Sequence, residues 1–281
     1  MRITSHVLPD GTFSYGRVNG TQIIDAGAAL RARYPDLKAL LAAGATSELD
    51  HADGASIDIA KATFLPTVPN PDKIICIGLN YVGHINETGR DRPAHPSIFT
   101  RYPQSFVGHG QPIVRPKVSD KLDYEGEFAV VIGKAGRAIP AGSALHHVAG
   151  YTCLNDGSIR DFQRHTTQFW AGKNFDRSGS IGPWLVTANE LGDPTLPHME
   201  TRLNGNIMQT TSVGDLAFGI AELIAYVSTV CALCPGDIIA TGTPSGVGLF
   251  RDPPVFMKQG DRVEVEISGI GILANDIIDE T

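Results

Sequence analysis

The sequence has few cysteines, no long apolar run and no run of basic residues. Its four cysteines among 281 residues are too few for the disulfide framework of a small secreted protein. No apolar stretch approaches the ~20 residues that are needed to cross a bilayer, and the polar start MRITSHVLPDG lacks the apolar segment of a secretory signal. These absences predict a cytoplasmic protein that does not enter a membrane.

Positive charge is scarce as well. The formal net charge is -7, and lysine and arginine are scattered along the chain. Because nucleic-acid surfaces need clustered cations, we expect no nucleic-acid partner. An anionic substrate would need a local source of positive charge, such as a bound metal ion.

Two of the cysteines, Cys231 and Cys234, form a C-x-x-C that could belong to a redox pair or to half of a zinc site. No second C-x-x-C and no histidine pair follows nearby, which disfavours zinc. The surrounding segment AELIAYVSTVCALCPGD has the apolar spacing of a helix and ends at Pro235-Gly236. We therefore predict reduced cysteines on a buried helix.

The chain divides into two parts at a proline-rich segment. Residues 1–26 contain the β-prone segments RITSHV, FSYGRV and TQIIDA separated by turns, and residues 27–43 have the spacing of one amphipathic helix. The segment FLPTVPNPDK at 64–73 is typical of a linker. We predict a small N-terminal α+β domain over 1–68 and a second domain over 72–281.

The second part consists of short β-prone segments with few helices between them, among them KIICIGLNY, EFAVVIG, VAGYTCLN and DRVEVEISGIG. Strands and helices do not alternate strictly, which argues against a doubly wound sheet. The predicted fold class is mainly β with some helix.

Two acidic residues in DYEGEFAVVIG, Glu125 and Glu127, are the first candidates for a metal site. On a strand they would point to the same face, where two carboxylates repel each other or bind a hard cation. Gly126 leaves the opposite face free of a side chain. The pattern alone would also fit two solvated surface acids.

A third carboxylate, Asp156, ends the run VAGYTCLND. It precedes SIRDFQRH, which has the pattern of a helix start with Ser158 as its cap. Three carboxylates with open positions for water favour Mg²⁺ or Mn²⁺, with Ca²⁺ as a further candidate.

The segment GLNYVGHINE brings His84 and Glu87 three residues apart, so that they share one face of a helical turn. A carboxylate in that position can orient an imidazole for general-base catalysis. A solvated helix face would give the same pair.

The segments IGLNYVGHINE, DYEGEFAVVIG, YTCLNDGSIRDFQ, AGKNFDRSGSIGPW and ATGTPSGVG, in this order, resemble the catalytic domain of the fumarylacetoacetate hydrolase family. The resemblance covers about residues 72–281. It implies a mixed β-sandwich roll, a homodimer and a divalent metal on Glu125, Glu127 and Asp156. It also implies that His84 and Glu87 activate water.

Four further residues are candidates for the site, two of them, Lys173 and Thr243, through the resemblance. The resemblance implies that Lys173, in AGKNFD, lies near the metal and the substrate oxygens, where it could bind a developing oxyanion. Arg160 and Gln163 could hold a substrate carboxylate or carbonyl. The glycine-rich turn TGTPSGVG lacks the ending of a P-loop, and the resemblance implies a substrate carboxylate near Thr243.

The predicted activity is hydrolytic cleavage of a C–C bond in a small acylpyruvate, such as fumarylpyruvate or maleylpyruvate, in the catabolism of aromatic or sugar acids. The same enolate chemistry leaves decarboxylation of oxaloacetate-type acids, and isomerisation or hydration of unsaturated 2-oxo acids, as alternatives. A non-catalytic protein that a metal ion stabilises is the remaining alternative from a different class.

Overall fold

The structure is a computed structural model that describes residues 1–89 and 91–281. Strands account for most of its regular structure. In chain order they are β1 (Arg2–Val7), β2 (Phe13–Asn19), β3 (Gln22–Asp25), β4 (Ser56–Asp58), β5 (Thr63–Phe64), β6 (Ile74–Gly78), β7 (Ser97–Arg101), β8 (Phe106–Val107), β9 (Ile113–Arg115), β10 (Leu122–Asp123), β11 (Gly126–Ile132), β12 (Val148–Asn155), β13 (Ser158–Ile159), β14 (Gly179–Thr187), β15 (His198–Leu203), β16 (Asn206–Ser212), β17 (Ile238–Ala240), β18 (Arg262–Ile267) and β19 (Gly271–Asp279).

The helices are short and lie between the strands. They are α1 (Gly27–Arg33), α2 (Leu37–Ala42), α3 (Val82–Glu87), α4 (Arg160–Gln163), α5 (Trp170–Lys173), α6 (Ala188–Leu191) and α7 (Ile220–Val230). None of the described helices is long and apolar enough to cross a bilayer.

One large mixed sheet runs in the order β4-β3-β2-β1-β14-β12-β11-β17-β6-β7, with β5 beside β1 and β8 beside β14. A five-stranded sheet has the order β16-β15-β18-β19-β9, and β10 pairs with β13. The N-terminal strands thus continue the sheet that contains β11 and β12. The division at residues 68–72 stays a prediction.

Side chains alternate across the central strand β11 and supply two cores. Phe128 and Val130 pack with α7 and the five-stranded sheet, whereas Ala129 and Val131 pack with the N-terminal helices on the other face. All residues of β11 are buried, as expected for a strand that is covered on both faces.

The predicted single helix over 27–43 is wrong, because α1 and α2 are separate. Tyr34 adopts an extended conformation, with φ -130° and ψ 95°. Pro35 follows it, and a proline ring disfavours the helical conformation of the preceding residue. Asp36 then caps α2 by accepting a 2.8 Å hydrogen bond from Ala39 N.

The C-x-x-C segment also differs from its prediction. Helix α7 ends at Val230, and Cys231 is extended, with φ -139° and ψ 155°. Cys231 and Cys234 are partly exposed free thiols beyond the helix. The sequence pattern predicted the helix correctly but placed its end too late, because the apolar spacing continues into the following segment.

Candidate active site

Four strand ends meet at one edge of the large sheet and assemble the site. Strand β11 begins where its antiparallel neighbours β12 and β17 end, and β6 runs parallel to β17. The segments that follow β12, β17 and β6 therefore reach the same edge as the start of β11. They carry Asp156, Thr243 and His84, whereas Glu127 lies at the start of β11.

The register of β11 and β12 brings the two predicted acidic motifs together. Gly126 pairs with Asn155, and Asp156 N donates a 2.8 Å hydrogen bond to Glu125 O. A Cβ atom at Gly126 would lie 2.0 Å from Thr201 Oγ1, so this position requires glycine. The three carboxylates are buried, and one oxygen from each lies within 4.8 Å of the others.

This donor set fits a hard divalent cation. Oxygen ligands at about 2.1–2.4 Å from one ion can be separated by up to about twice that distance, which matches the observed spread. The cluster found within residues 1–89 and 91–281 contains carboxylates alone, as hard cations prefer. Glu125, Glu127 and Asp156 could therefore hold Mg²⁺, Mn²⁺ or Ca²⁺.

Lys173 lies between two of these carboxylates. Its Nζ atom is 2.7 Å from Glu125 Oε2 and 2.7 Å from Asp156 Oδ2, and it is buried. Burial alone would lower the pKa of the lysine, but Asp156 and Glu125 outweigh burial and raise it. Lys173 is thus held as a cation in contact with two carboxylates of the cluster.

The two glutamates have opposite pKa shifts. Burial disfavours the ionised form of both carboxyls. For Glu125, the positive charges of Lys173 and Arg160 outweigh burial and lower the pKa to about 2. For Glu127, burial and the negative charges of Asp156 and Glu125 raise the pKa well above its usual range. A bound cation would remove the repulsion at Glu127.

Arg160 begins α4 and forms an ion-pair network with the site. Its Nη1 atom lies 2.6 Å from Glu125 Oε1 and 2.9 Å from Gln163 Oε1, and its Nε atom lies 2.7 Å from Asp123 Oδ2. Asp123, which the sequence analysis missed, also accepts hydrogen bonds from the backbone of Gly248 and Leu249. Arg160 Nη2 is buried and has no hydrogen-bond partner among the described residues.

The predicted cap of α4 is wrong. Ser158 lies in β13, and its hydroxyl donates a 2.9 Å hydrogen bond to Asp156 O. Ile159 occupies the N-cap position without a side-chain hydrogen bond. The short strand pairing of β13 with β10 takes precedence over the local capping pattern.

His84 and Glu87 lie on α3 and interact directly. His84 Nδ1 lies 2.8 Å from Glu87 Oε2, and Glu87 Oε1 accepts a 2.8 Å hydrogen bond from Gly246 N. Glu87 therefore fixes the ring of His84 and joins α3 to the glycine-rich turn. His84 is buried and lines the cavity that contains the carboxylates.

Thr243 lies in the glycine-rich turn after β17. Its hydroxyl donates to Gly126 O at 3.0 Å and accepts from Gln209 Nε2 at 2.8 Å. The backbone N–H of Gly242 donates to Glu127 Oε2 at 2.8 Å. The turn thus supports the strand that carries Glu127, in addition to lining the cavity.

The cavity has a volume of about 230 Å³ and is closed partly by aromatic side chains. Phe169 lines it, whereas Trp170 is 52% exposed and packs against Tyr102 outside it. All of the predicted site residues except Glu87 line this cavity. They are His84, Glu125, Glu127, Asp156, Arg160, Gln163, Lys173 and Thr243.

Comparison with known proteins identifies two similar oxaloacetate tautomerases. YisK of Bacillus subtilis is 46% identical over 215 residues, which cover 75% of this chain and 71% of the relative. The mitochondrial oxaloacetate tautomerase FAHD2A of Bos taurus is 43% identical over 221 residues, which cover 78% of this chain and 70% of the relative.

The predicted hydrolysis of an acylpyruvate C–C bond is contradicted by these relatives, whose names describe a tautomerase. Sequence motifs could not separate the activities, because hydrolysis, decarboxylation and tautomerisation use the same activated 2-oxo group. The predicted role in aromatic or sugar-acid catabolism depended on the hydrolase activity and has no further support. The finding favours the isomerase alternative.

Solved structures support the predicted fold. Fumarylacetoacetate hydrolase from Exiguobacterium antarcticum has a TM-score of 0.87 and is 33% identical, with 100% of both chains covered. Maleylpyruvate hydrolase from Sphingobium sp. SYK-6, in complex with manganese(II) and pyruvate, has a TM-score of 0.81 and is 30% identical, again with 100% of both chains covered. The prediction of a mainly β fold with some helix, built as a mixed β-sandwich roll, is confirmed.

A family model also matches most of the chain. The C-terminal domain of fumarylacetoacetate hydrolase matches residues 73–278. This range contains both acidic motifs, the His84–Glu87 pair and Lys173. The chain therefore belongs to the fumarylacetoacetate hydrolase family.

Proposed function

We propose that this protein interconverts the keto and enol forms of oxaloacetate, or of a closely similar 2-oxo diacid, with a divalent cation held by Glu125, Glu127 and Asp156. The observation that carries the proposal is that His84 and the carboxylate cluster line the same cavity. Relatives at 43% and 46% identity that are named oxaloacetate tautomerases support this substrate.

Keto–enol isomerisation moves one proton between C3 and the oxygen on C2. The C2–C3 bond becomes double in the enol, the C2–O bond becomes single, and no water is consumed. The site therefore needs a base near C3 and positive charge near the C2 oxygen. Both requirements match side chains around this cavity.

His84 is the proposed base at C3. Glu87 accepts a hydrogen bond from Nδ1 when that nitrogen carries the proton, which leaves Nε2 unprotonated and able to accept a proton. The carboxylate also stabilises the imidazolium that forms after proton transfer. Glu87 thereby acts through His84, without contact with the substrate.

Lys173 is the proposed stabiliser of negative charge on the C2 oxygen. Its buried ammonium contacts Glu125 and Asp156 and lines the cavity. A divalent cation, when bound, would polarise the 2-oxo group and lower the energy of the enolate form. Burial strengthens the effect of both charges, because water that would screen them is largely excluded.

The charge balance of the site favours a dianionic substrate once a cation is present. The carboxylates of Asp123, Glu125, Glu127 and Asp156 outnumber the three cationic side chains that contact them by one. These cations are Arg101, Arg160 and Lys173. With Glu127 ionised beside a bound divalent ion, the cluster would carry a net positive charge and so attract an anion.

Three residues are proposed to bind the substrate's carboxylates. Arg160 Nη2 is a buried donor without a described partner, and Gln163 lies 2.9 Å from Arg160 Nη1. An incoming carboxylate could accept from both side chains. Thr243 lines the same cavity and lies in the turn whose Gly242 N–H binds Glu127.

The proposed cation is Mg²⁺ or Mn²⁺, and the solved relative with manganese(II) supports the second choice. Ca²⁺ is a weaker candidate, since three carboxylates supply few of its usual six to eight oxygen ligands.

The family resemblance is the basis for proposing a homodimer. Light scattering on the purified protein would measure its mass and so test this proposal. The cytoplasmic location stays a prediction.

A coupled assay tests the activity. The enol form of oxaloacetate is added to metal-free and Mn²⁺-loaded protein in the presence of excess malate dehydrogenase, which consumes the keto form, and NADH loss is recorded. Pyruvate and CO₂ are measured in the same samples. We expect Mn²⁺-dependent acceleration of keto formation without pyruvate release.

Two results would redirect the assignment. Release of pyruvate and CO₂ in step with oxaloacetate loss would identify a decarboxylase. If the protein does not accelerate keto formation with any added metal, the proposed isomerisation of oxaloacetate is rejected. The variant His84→Gln removes the proposed base. Its control is His95→Gln, which removes an exposed histidine that stacks on Tyr226.

A further inference from the structure

Strand β7 carries a fully buried arginine that the proposed chemistry does not use. Arg101 is 2% exposed and lies at the end of this edge strand. Its guanidinium carbon lies 4.1 Å from the centre of the Phe106 ring. Arginine is almost never buried in this way unless every donor has a partner.

Each N–H of this arginine has an acceptor. The Nε atom donates to Ser105 Oγ at 3.1 Å, and Nη2 donates to Ser105 O at 3.2 Å and Ser178 Oγ at 2.7 Å. Nη1 donates to Asp156 Oδ1 at 2.5 Å and Gly157 O at 3.1 Å. The acceptors other than Asp156 therefore fix the guanidinium plane independently of the metal cluster.

The two oxygens of Asp156 have different cationic partners. Oδ1 contacts Arg101, whereas Oδ2 contacts Lys173 Nζ at 2.7 Å. The same Nζ contacts Glu125 Oε2, so Oδ2 is the oxygen on the side of the carboxylate cluster. Rotation of the Asp156 carboxylate would break the bond with Arg101.

We infer that Arg101 is a positioning residue that holds Asp156 Oδ1 away from the cluster and presents Oδ2 alone as a ligand for a divalent cation. The inference rests on the metal site of the proposed function. It assigns to Arg101 a role in cation affinity through Asp156, without contact with substrate.

Lysine cannot replace arginine in this position. Its ammonium has three donors on a flexible stem, whereas the planar guanidinium has five in a fixed arrangement. Lysine keeps the positive charge, so Arg101→Lys changes geometry without changing the formal charge next to Asp156. Partners that orient metal ligands typically contribute about 10–100-fold to metal affinity.

The test is Mn²⁺ affinity of the full chain, measured by the electron paramagnetic resonance signal of free Mn²⁺ and by calorimetry. We expect Arg101→Lys to raise the Kd for Mn²⁺ by roughly 10–100-fold and to change the spectrum of the bound ion. The matched control is Arg115→Lys, which alters a two-bond ion pair with Asp279 away from the site. This control should bind Mn²⁺ like the unmodified protein.

A Kd of Arg101→Lys for Mn²⁺ within about threefold of that of the unmodified protein would overturn the inference. Such a change is well below the effect that is usual for residues that orient metal ligands. If Arg101→Lys does not fold, Ser178→Ala removes one acceptor of Nη2 with little loss of volume. The affinity of Ser178→Ala for Mn²⁺ should fall at least about threefold. An unchanged affinity would equally overturn the inference. Failure of the unmodified protein to bind Mn²⁺ would instead reject the metal site on which both proposals rest.

Discussion

Lys173 Nζ lies 2.7 Å from Asp156 Oδ2, with both side chains almost fully excluded from solvent. The same ammonium bonds to Glu125, so one cation holds two carboxylates together without a metal ion. This arrangement gives Lys173 two separable effects, one on the stability of the metal-free protein and one on turnover.

The first prediction concerns Lys173→Met. Loss of the cation leaves Glu125 Oε2 and Asp156 Oδ2 buried without a cationic partner, which should destabilise the metal-free protein by about 3–5 kcal/mol. Bound Mn²⁺ should offset part of this loss. Denaturant unfolding with EDTA and with Mn²⁺ measures both values.

The matched control for that variant is Lys38→Met, since Lys38 forms a 2.6 Å ion pair with the exposed Asp72. Its cost should be about 0–1 kcal/mol under both conditions. An equally small effect at Lys173 would contradict the role of its ammonium in holding the cluster.

The second prediction concerns the proposed base. Replacement of His84 by Gln should lower kcat by about 10²–10⁴-fold, because general-base catalysis typically contributes that factor. Glu87→Gln should lower kcat in the same direction, since its carboxylate orients the imidazole. Mn²⁺ affinity should stay unchanged in both variants. A His84→Gln enzyme with normal turnover would exclude this residue as the base.

The third prediction separates a catalytic metal from a structural one. Removal of divalent cations with EDTA should abolish turnover, while far-ultraviolet circular dichroism stays that of the folded protein. Mn²⁺ at 100 times its Kd should then add about 2.7 kcal/mol of stability. Global unfolding on metal removal would favour the non-catalytic alternative, in which carboxylates only stabilise the fold.

The sequence predicted which residues surround the cavity better than it predicted the activity. Strand periodicity suggested that Glu125 and Glu127 share a face, and the structure buries both in one cluster although β11 begins only at Gly126. Asp156 was predicted as a third ligand from its position at the end of a β-prone run, and the pairing of β11 with β12 explains its contact with the two glutamates.

Residues far apart in the chain were harder to predict. Arg101 follows an ordinary β-prone segment, and nothing in its local pattern indicates a contact with Asp156 that spans more than fifty positions. Asp123 likewise gains its partners only when α4 and the segment after residue 247 fold against it. Arg101 and Asp123 are both charged residues next to β-prone segments. This pattern could have marked both residues as candidates for burial.

Local patterns failed where tertiary pairing or a single residue outweighed them. Pro35 divides a run with helical spacing into α1 and α2. Ser158 pairs within β13 and so does not cap α4. In both cases the apolar or capping pattern is present, but a stronger constraint determines the conformation.

The fourth prediction concerns acid stability at a buried carboxyl outside the proposed metal site. Asp25 is 2% exposed and contacts His6, Ser14 and Arg31. Burial opposes its ionisation, but the contact with His6, the hydrogen bonds from Ser14 and the backbone of Gly27, and the charge of Arg31 together outweigh burial and lower the pKa of its carboxyl. Its stabilising effect should be complete above the unfolded pKa of about 3.9 and be lost as the pH falls further.

The variant Asp25→Asn should therefore lose on the order of 2 kcal/mol of unfolding free energy at neutral pH, because buried donors lose a charged acceptor. The difference from the unmodified protein should shrink below about pH 4, where the unfolded carboxyl becomes protonated. Exposed Asp120 provides the control variant Asp120→Asn. A difference that grows as the pH falls would contradict the sign of this shift.

The most direct test of the proposed activity is the initial rate of keto formation from enol-oxaloacetate in three samples. These are metal-free protein, the same protein with Mn²⁺, and Glu125→Gln with Mn²⁺. We expect a rate above background only in the second sample, because the reaction needs both the cation and the carboxylate that holds it. An equal rate in all three samples would contradict metal-dependent tautomerisation at this site.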